Sequence, residues 1–204
     1  MPPSIASLSK AEWRTQFRGY RRGLSAEAYS AYSTLICSRV LALPSLAAAA
    51  TVHLYWPQTD EGEVDTRPLI GALRGLGTTV VLPVVTSYDP DAPEMEHRRY
   101  AGPGAMTTNR WDIREPVGTE RVSPDALDAV VVPALGAGKN GHRIGHGSGY
   151  YDVFLQNVSV PRIIVVYEQC LARTVPADSH DIPGSHIVTE CAVYRVSESS
   201  YFHP

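Results

Sequence analysis

The 204-residue sequence predicts an α/β domain with a largely parallel central sheet flanked by helices. Three observations carry that prediction. β-Branched runs alternate with helical patterns along the chain. The runs at 79–84 and 128–133 are apolar almost without interruption, as in strands buried on both faces. A glycine-rich loop follows the second run and opens into a short helical pattern, the arrangement in which ligands sit beyond the carboxyl ends of parallel strands.

Taken in order, Ser9 with Glu12 three residues on forms a capping box, and few breakers follow before Arg22, so a first helix is expected there. Ser25 caps a second helix, whose apolar positions Tyr29, Tyr32, Leu35, Ile36 and Leu43 recur at helical spacing until Pro44 ends the run. Residues 51–56 read as a strand. Thr66 is placed to cap a helix with Arg67 and Pro68 in its first turn and Leu69, Ile70, Leu73 and Leu76 on its apolar face, ending before Gly77. Strands are expected at 79–84 and, more polar, at 95–100, and mostly loop from 101 to 124. The strand 128–133, the glycine loop, a short helix from Tyr150 to about Asn157 and a strand at 162–167 complete the pattern. Residues 1–204 read as a single domain without internal repeats.

A net charge of -3 and a pI near 6.1 give no general field for nucleic acid or an anionic membrane, so anion binding must be local. The three cysteines, Cys37, Cys170 and Cys191, form no C-x-x-C pair, which argues against a disulfide framework and a structural zinc site and fits a reducing cytoplasm. No segment approaches the roughly 20 apolar residues of a membrane span. No nucleic-acid or membrane partner is expected, and a monomer or weak homodimer is the expected state.

The loop reads Gly141-His142-Arg143-Ile144-Gly145-His146-Gly147-Ser148-Gly149-Tyr150-Tyr151-Asp152. Glycines at 145, 147 and 149 let successive backbone N–H groups turn toward one anion, the following helix adds the positive end of its dipole, and Arg143 offers a charged fork. A glycine turn without a ligand is the plainer reading of such a spacing. The loop is neither a Walker loop, which needs G-K-[ST], nor a dinucleotide fingerprint. His142 and His146 are separated by a loop glycine, which excludes a zinc helix. Lys10, Arg14 and Arg18 form one basic stripe on the first helix, ordinarily a solvated face.

With its surroundings, the loop resembles the hallmark G-x-R-[LI]-G-x-G-x-G-[YF]-[YF]-D of the 5-formyltetrahydrofolate cyclo-ligase family, matching every fixed position. Lys10-x-x-x-Arg14, Gly62-Glu63-Val64-Asp65-Thr66, Trp111-Asp112-Ile113-Arg114-Glu115-Pro116, the strand at 128–133 and the segment 176–190 with Asp181 and Thr189-Glu190 follow in the family's order. The resemblance implies a three-layer α/β sandwich with the general architecture of sugar-phosphate isomerases and CoA-transferases. It also implies closure of the formyl group of 5-formyltetrahydrofolate onto the neighbouring nitrogen, with consumption of ATP and with magnesium. Lys10, Arg14, Arg143, Ile144, Gly145, His146, Gly147, Ser148, Gly149, Tyr150 and Tyr151 would then bind ATP. Trp56, Glu63, Trp111, His146, Gly147, Ser148, Gly149 and Tyr150 would bind the folate, Asp152 and Asp181 the metal, and Arg143, Ser148 and Tyr151 would act in catalysis. Trp56, Trp111 and Tyr151 offer flat faces for a pterin or adenine ring, with core packing the competing reading. Helix-dipole stabilisation accounts equally for Asp152 and turn capping for Asp181.

Two departures from the family pattern stand out. Its usual Phe-Asp pair is Ala137-Gly138 here, removing a carboxylate that another acid such as Asp178 would have to replace, while Lys139 would shift the local charge toward phosphate binding. Ser148 and Val153 stand where many members carry Lys or Gly and Arg. These departures motivate a second reading, a relative that binds nucleotide or folate without turnover.

Overall fold

A computed structural model describes residues 8–197. Helix α1 (Lys10–Arg22) starts as expected: Ser9 and Glu12 bond each other's backbone amides through their side chains. It buries Trp13, Phe17 and Arg21 and leaves Lys10, Arg14 and Arg18 on a different face. Arg21 is 3% exposed and donates to the carbonyls of Glu61, Gly62 and Ala134, which fixes α1 to two loops that shape the ligand cleft.

Ser25 caps α2 (Ala26–Leu41), whose buried stripe is Ser33, Ile36, Cys37 and Val40. Leu35, expected on that stripe, is 43% exposed, because one 100° step from Ile36 turns it away from the core. Pro44 follows the end of α2 and opens α3 (Pro44–Ala47), in whose first turn its missing N–H costs nothing. Strand β1 (Thr51–His53) is shorter than the run 51–56. In α4 (Arg67–Gly75), Thr66 occupies the cap position but its hydroxyl donates to the Tyr55 carbonyl, and the Asp65 carboxylate takes the Arg67 amide instead.

Strands β2 (Thr79–Asp89) and β3 (Ala92–Arg99) form a hairpin longer than either predicted run. Its outer half is partly solvated, so the apolar signal fades there while the backbone pairing continues. The region expected as loop holds a small hairpin, β4 (Met106–Thr108) with β5 (Arg114–Pro116). The chain continues through β6 (Ala129–Pro133), β7 (Gly136–Gly138), β8 (Arg143–Ile144), α5 (Tyr150–Leu155) and β9 (Arg162–Val165). It ends with β10 (Leu171–Ala172), β11 (His186–Val188) and β12 (Val193–Arg195).

The main sheet has the order β12-β11-β9-β6-β1-β2-β3, parallel throughout except for the antiparallel edge pairs β11/β12 and β2/β3. Val52, Val81, Val130, Val131, Val132, Ile163, Ile164 and Ile187 have no accessible surface, which explains the uninterrupted apolar runs. From β1 the chain moves outward to β2 and β3; from β6 it moves the opposite way to β9 and β11. The gap between β6 and β1 is therefore a topological switch point, where such sheets form a crevice. A second sheet, β10-β7-β8, carries the base of the glycine loop. The three cysteines are free. Among the described residues no helix is long and apolar enough to cross a membrane.

Candidate active site

A cleft of about 550 Å³ opens at the switch point. Its lining includes Tyr55, Trp56, Gln58 and Glu63 from the segment after β1, Pro133 at the end of β6, and the whole glycine loop from Arg143 to Asp152. Lys10, Arg14, Trp111 and Asp181 also line it, so the structure brings every sequence-predicted site residue to one concavity.

The loop has a defined shape. Gly147 and Gly149 lie at φ 108° and 74°, which side-chain-bearing residues rarely adopt, and the second of them is the N-cap of α5. An ion pair at 2.5 Å between Arg143 Nη2 and Asp152 Oδ1 ties the strand before the loop to the first turn of the helix after it. Arg143 Nη1 donates to the Ile182 carbonyl at 2.7 Å. Both terminal nitrogens of the fork expected to face phosphate are thus engaged within the protein. Ser148 is exposed at the loop tip. The Tyr150 hydroxyl donates to the Ser87 carbonyl at 2.7 Å. The buried Tyr151 hydroxyl has no partner among the described residues, and burial raises its pKa above the ordinary phenol value.

Helix α1 supplies the basic wall. Arg14 Nε donates to the Gly145 carbonyl at 3.0 Å, and its guanidinium lies along Gly147. Arg18 Nη2 lies 3.4 Å from His146 Nδ1. Although His146 is exposed, desolvation of its ring and then the nearby guanidiniums of Arg21 and Arg18 lower its pKa. Lys10 Nζ sits between two carboxylates, 2.5 Å from Asp181 and 2.8 Å from Asp178. Burial alone lowers the Lys10 pKa, but the hydrogen bonds and charges of those two acids outweigh it, and the net shift is upward. Asp178, His180 and Asp181 bring their ligand atoms within 4.8 Å of one another.

The opposite wall holds Glu63. Gly62 takes the left-handed conformation (φ 63°), and a Cβ there would meet the Arg21 carbonyl oxygen at 2.7 Å, so glycine is required where the segment passes α1. The adjoining Glu63 is 6% exposed; its carboxylate accepts from the Gln58 amide at 2.9 Å, and burial raises its pKa above the ordinary glutamate value. Trp56 and Trp111 flank this region, Trp56 beneath the guanidinium of Arg114 and Trp111 edge-on to Tyr88 and Tyr150. Tyr151 turns a face to His53 and Phe154 as well, so it packs in the core while lining the cleft.

Two site residues escaped the motif reading as separate contributors. Glu115 is a buried carboxylate that accepts from the Val85 amide and from Asn109 Nδ2, and burial raises its pKa. Its position inside a quoted motif was the available signal. His180 lines the cleft but is exposed, with no pattern to mark it. Lys139, expected to offer charge to phosphate, instead lies 4.6 Å from the Tyr194 ring, because the backbone after β7 directs it toward β12. Asp178 lines the cleft. Thr189 and Glu190 bind the Glu168 carboxylate and amide and serve that turn.

A model of the 5-formyltetrahydrofolate cyclo-ligase family matches residues 6–190. The 5-formyltetrahydrofolate cyclo-ligase of Escherichia coli K12 is 29% identical over 183 residues, covering 87% of this chain and 98% of the relative. That of Mus musculus is 25% identical over 203 residues, covering 93% and 98%. Among solved structures, 5,10-methenyltetrahydrofolate synthetase from Aquifex aeolicus superposes with a TM-score of 0.81 at 30% identity, covering 97% of each chain.

Gly138 has no room for the aspartate that the family pattern carries. A Cβ there would overlap Asn140 Oδ1 and lie 2.6 Å from the Val175 backbone nitrogen, while Asn140 bridges to the Val175 carbonyl. Gly138→Asp is expected to destabilise the protein by about 1–3 kcal/mol, read by urea unfolding, as overpacked sites do. Unchanged or increased stability would show that the segment has space for a carboxylate.

Proposed function

The chain belongs to the 5-formyltetrahydrofolate cyclo-ligase family, and we propose that the cleft at the switch point is where it closes 5-formyltetrahydrofolate to 5,10-methenyltetrahydrofolate with consumption of ATP. The observation that carries this assignment is the gathering of a phosphate-type loop, a basic helix face and a buried pterin-type carboxylate in one cleft of about 550 Å³. Direct transfer between two substrates requires that they share one site.

A formamide oxygen is a poor leaving group. Transfer of the γ-phosphoryl group of ATP to that oxygen makes it a good one. Nitrogen 10 then forms a bond to the formyl carbon and loses its proton, the carbon–oxygen bond breaks, and inorganic phosphate and ADP leave. Such a route asks the protein for positioning and charge neutralisation rather than a nucleophile. Lys10 and Arg14 would supply cations, and the 145–149 backbone N–H groups and exposed Ser148 hydroxyl would cradle the phosphates. Glu63 accepts paired N–H groups of the pterin, with Trp56 and Trp111 against ring faces. Tyr151, which lines the cleft while its hydroxyl is buried, would contact bound substrate through its ring.

The exposed and half-buried carboxylates of Asp152, Asp181 and Asp178 line the same cleft, those of Asp178 and Asp181 with ligand atoms within 4.8 Å of each other, and hard oxygen donors of this kind suit magnesium. Magnesium held there would neutralise phosphate charge. Asp152 uses one oxygen on Arg143, which leaves the other for a ligand; Arg143 thereby positions Asp152. Lys10 occupies Asp181 and Asp178 without nucleotide and would pass to phosphate once the metal takes those acids.

The test is appearance of the methenyl chromophore with 5-formyltetrahydrofolate, ATP and magnesium. Asp152→Asn and Asp181→Asn are each expected to raise the magnesium concentration needed for half-maximal rate by about 10- to 100-fold, the range for a lost or misplaced metal contact. An unchanged magnesium dependence in both variants would refute their assignment. A pH dependence follows from Glu63. Only its ionised form accepts two N–H groups, so KM for the folate is expected to rise as pH falls through its raised pKa. Glu63→Gln is expected to raise KM by about 10- to 100-fold, as for a site built to pair a polar group, and to flatten that limb. Initial rates from about pH 5 to 8, corrected for uncatalysed closure, decide this. An identical pH profile in the variant would count against the pterin role.

A further inference from the structure

We propose that Arg110 binds the carboxylates of the substrate's glutamate tail, from an aromatic shelf at the mouth of the cleft. The inference rests on the folate assignment above, since it names the partner of the part of the substrate that assignment leaves unaccounted for. Arg110 is exposed, yet it is not a loose surface side chain. Its guanidinium carbon lies 3.8 Å from the centroid of the Tyr88 ring and 5.2 Å from that of Trp111, and its Nη2 donates to the Tyr88 carbonyl at 3.3 Å. Stacking on the rings fixes the plane of the fork while leaving N–H groups at its edge.

The segment presenting it is equally defined. Asn109 Oδ1 accepts from the amides of Trp111 and Ile113, Asn109 Nδ2 donates to the buried Glu115 at 2.7 Å, and Asp112 sits at φ 60°, a conformation that non-glycine residues adopt only where the surroundings impose it. Trp111, next to Arg110 in sequence and in contact with it, lines the cleft. Among the described residues Arg110 forms no ion pair. Lys10, by contrast, is held by two acids, and Arg114 lies over Trp56 with its Nη2 on the Pro103 carbonyl. A pre-oriented guanidinium without a carboxylate, outside the cleft lining but beside the Trp111 ring, which is 41% exposed, suits a dianionic tail leaving a pterin bound at the buried Glu63. A fixed fork loses less freedom on binding than a mobile one.

The experiment compares 5-formyltetrahydrofolate with its glutamate dimethyl ester, which keeps the shape and removes both charges, at saturating ATP and magnesium. Wild-type protein is expected to show a KM about tenfold lower for the acid, the scale of a charge-assisted hydrogen bond at a solvated rim. Arg110→Ala is expected to abolish that preference by raising KM for the acid alone, with kcat and the KM for ATP unchanged, and Arg110→Lys to retain part of it. A rise for acid and ester alike, or no change for either, overturns the proposal. Glu63→Gln run beside it separates the two assignments, because loss of the pterin contact raises KM for both substrates equally. If Glu63→Gln changes neither while Arg110→Ala removes the acid preference, the pterin assignment fails and the tail contact stands.

Discussion

The ion pair between Arg143 and Asp152 is the constraint on which the site depends. It joins the strand before the glycine loop to the helix after it, so the loop is a closed ring with its glycines at the rim. Positive φ at Gly147 and Gly149 then turns the backbone without strain, and Arg14 reaches from α1 to the Gly145 carbonyl. Removing the acid would leave a guanidinium that is 8% exposed with only a backbone carbonyl to face, a costly state in a low-dielectric interior. The pair also engages one oxygen of Asp152.

The same logic organises the remaining charges. Lys10 sits between Asp178 and Asp181, a cation suited to phosphate held by acids suited to a metal. Opposite charges paired with one another lower the cost of holding so much charge in one cleft. The far wall differs in character. Glu63 and Glu115 are buried carboxylates raised in pKa, each held by a backbone amide, in a region of aromatic rings. One end of the cleft thus carries dense charge, and the other carries buried carboxylates among aromatic rings. The sheet topology puts both at the gap between β6 and β1, where two halves of the chain diverge.

Much of this was legible in the sequence because local chemistry wrote it there. The capping box at Ser9 and Glu12 set the start of α1 and hence the phase that aligns Lys10 with Arg14. The apolar runs marked the inner strands because both their faces are covered. Less was legible where the signal is tertiary. The outer half of the β2/β3 hairpin and the small β4/β5 hairpin pair through backbone in polar sequence, so hydropathy could not show them. Leu35 shares the helical spacing of its neighbours yet points outward, since periodicity gives a stripe but not its width. The expectation that Arg143 faces phosphate followed from its neighbours in sequence; its pairing with Asp152 appears only once the loop closes. Likewise the absent aspartate at 138 looked like a lost ligand, whereas Asn140 and Val175 already fill the space its side chain would need.

On nucleotide binding, an exchange of partners among the paired charges is expected. A crystal structure of the protein with magnesium and a non-hydrolysable ATP analogue tests it most directly. The account predicts Lys10 Nζ on a phosphate oxygen, Asp181 on the metal, and Asp152 on the metal through the oxygen not used by Arg143. Nucleotide bound away from the 145–149 backbone, with Lys10 still between Asp178 and Asp181, would contradict it.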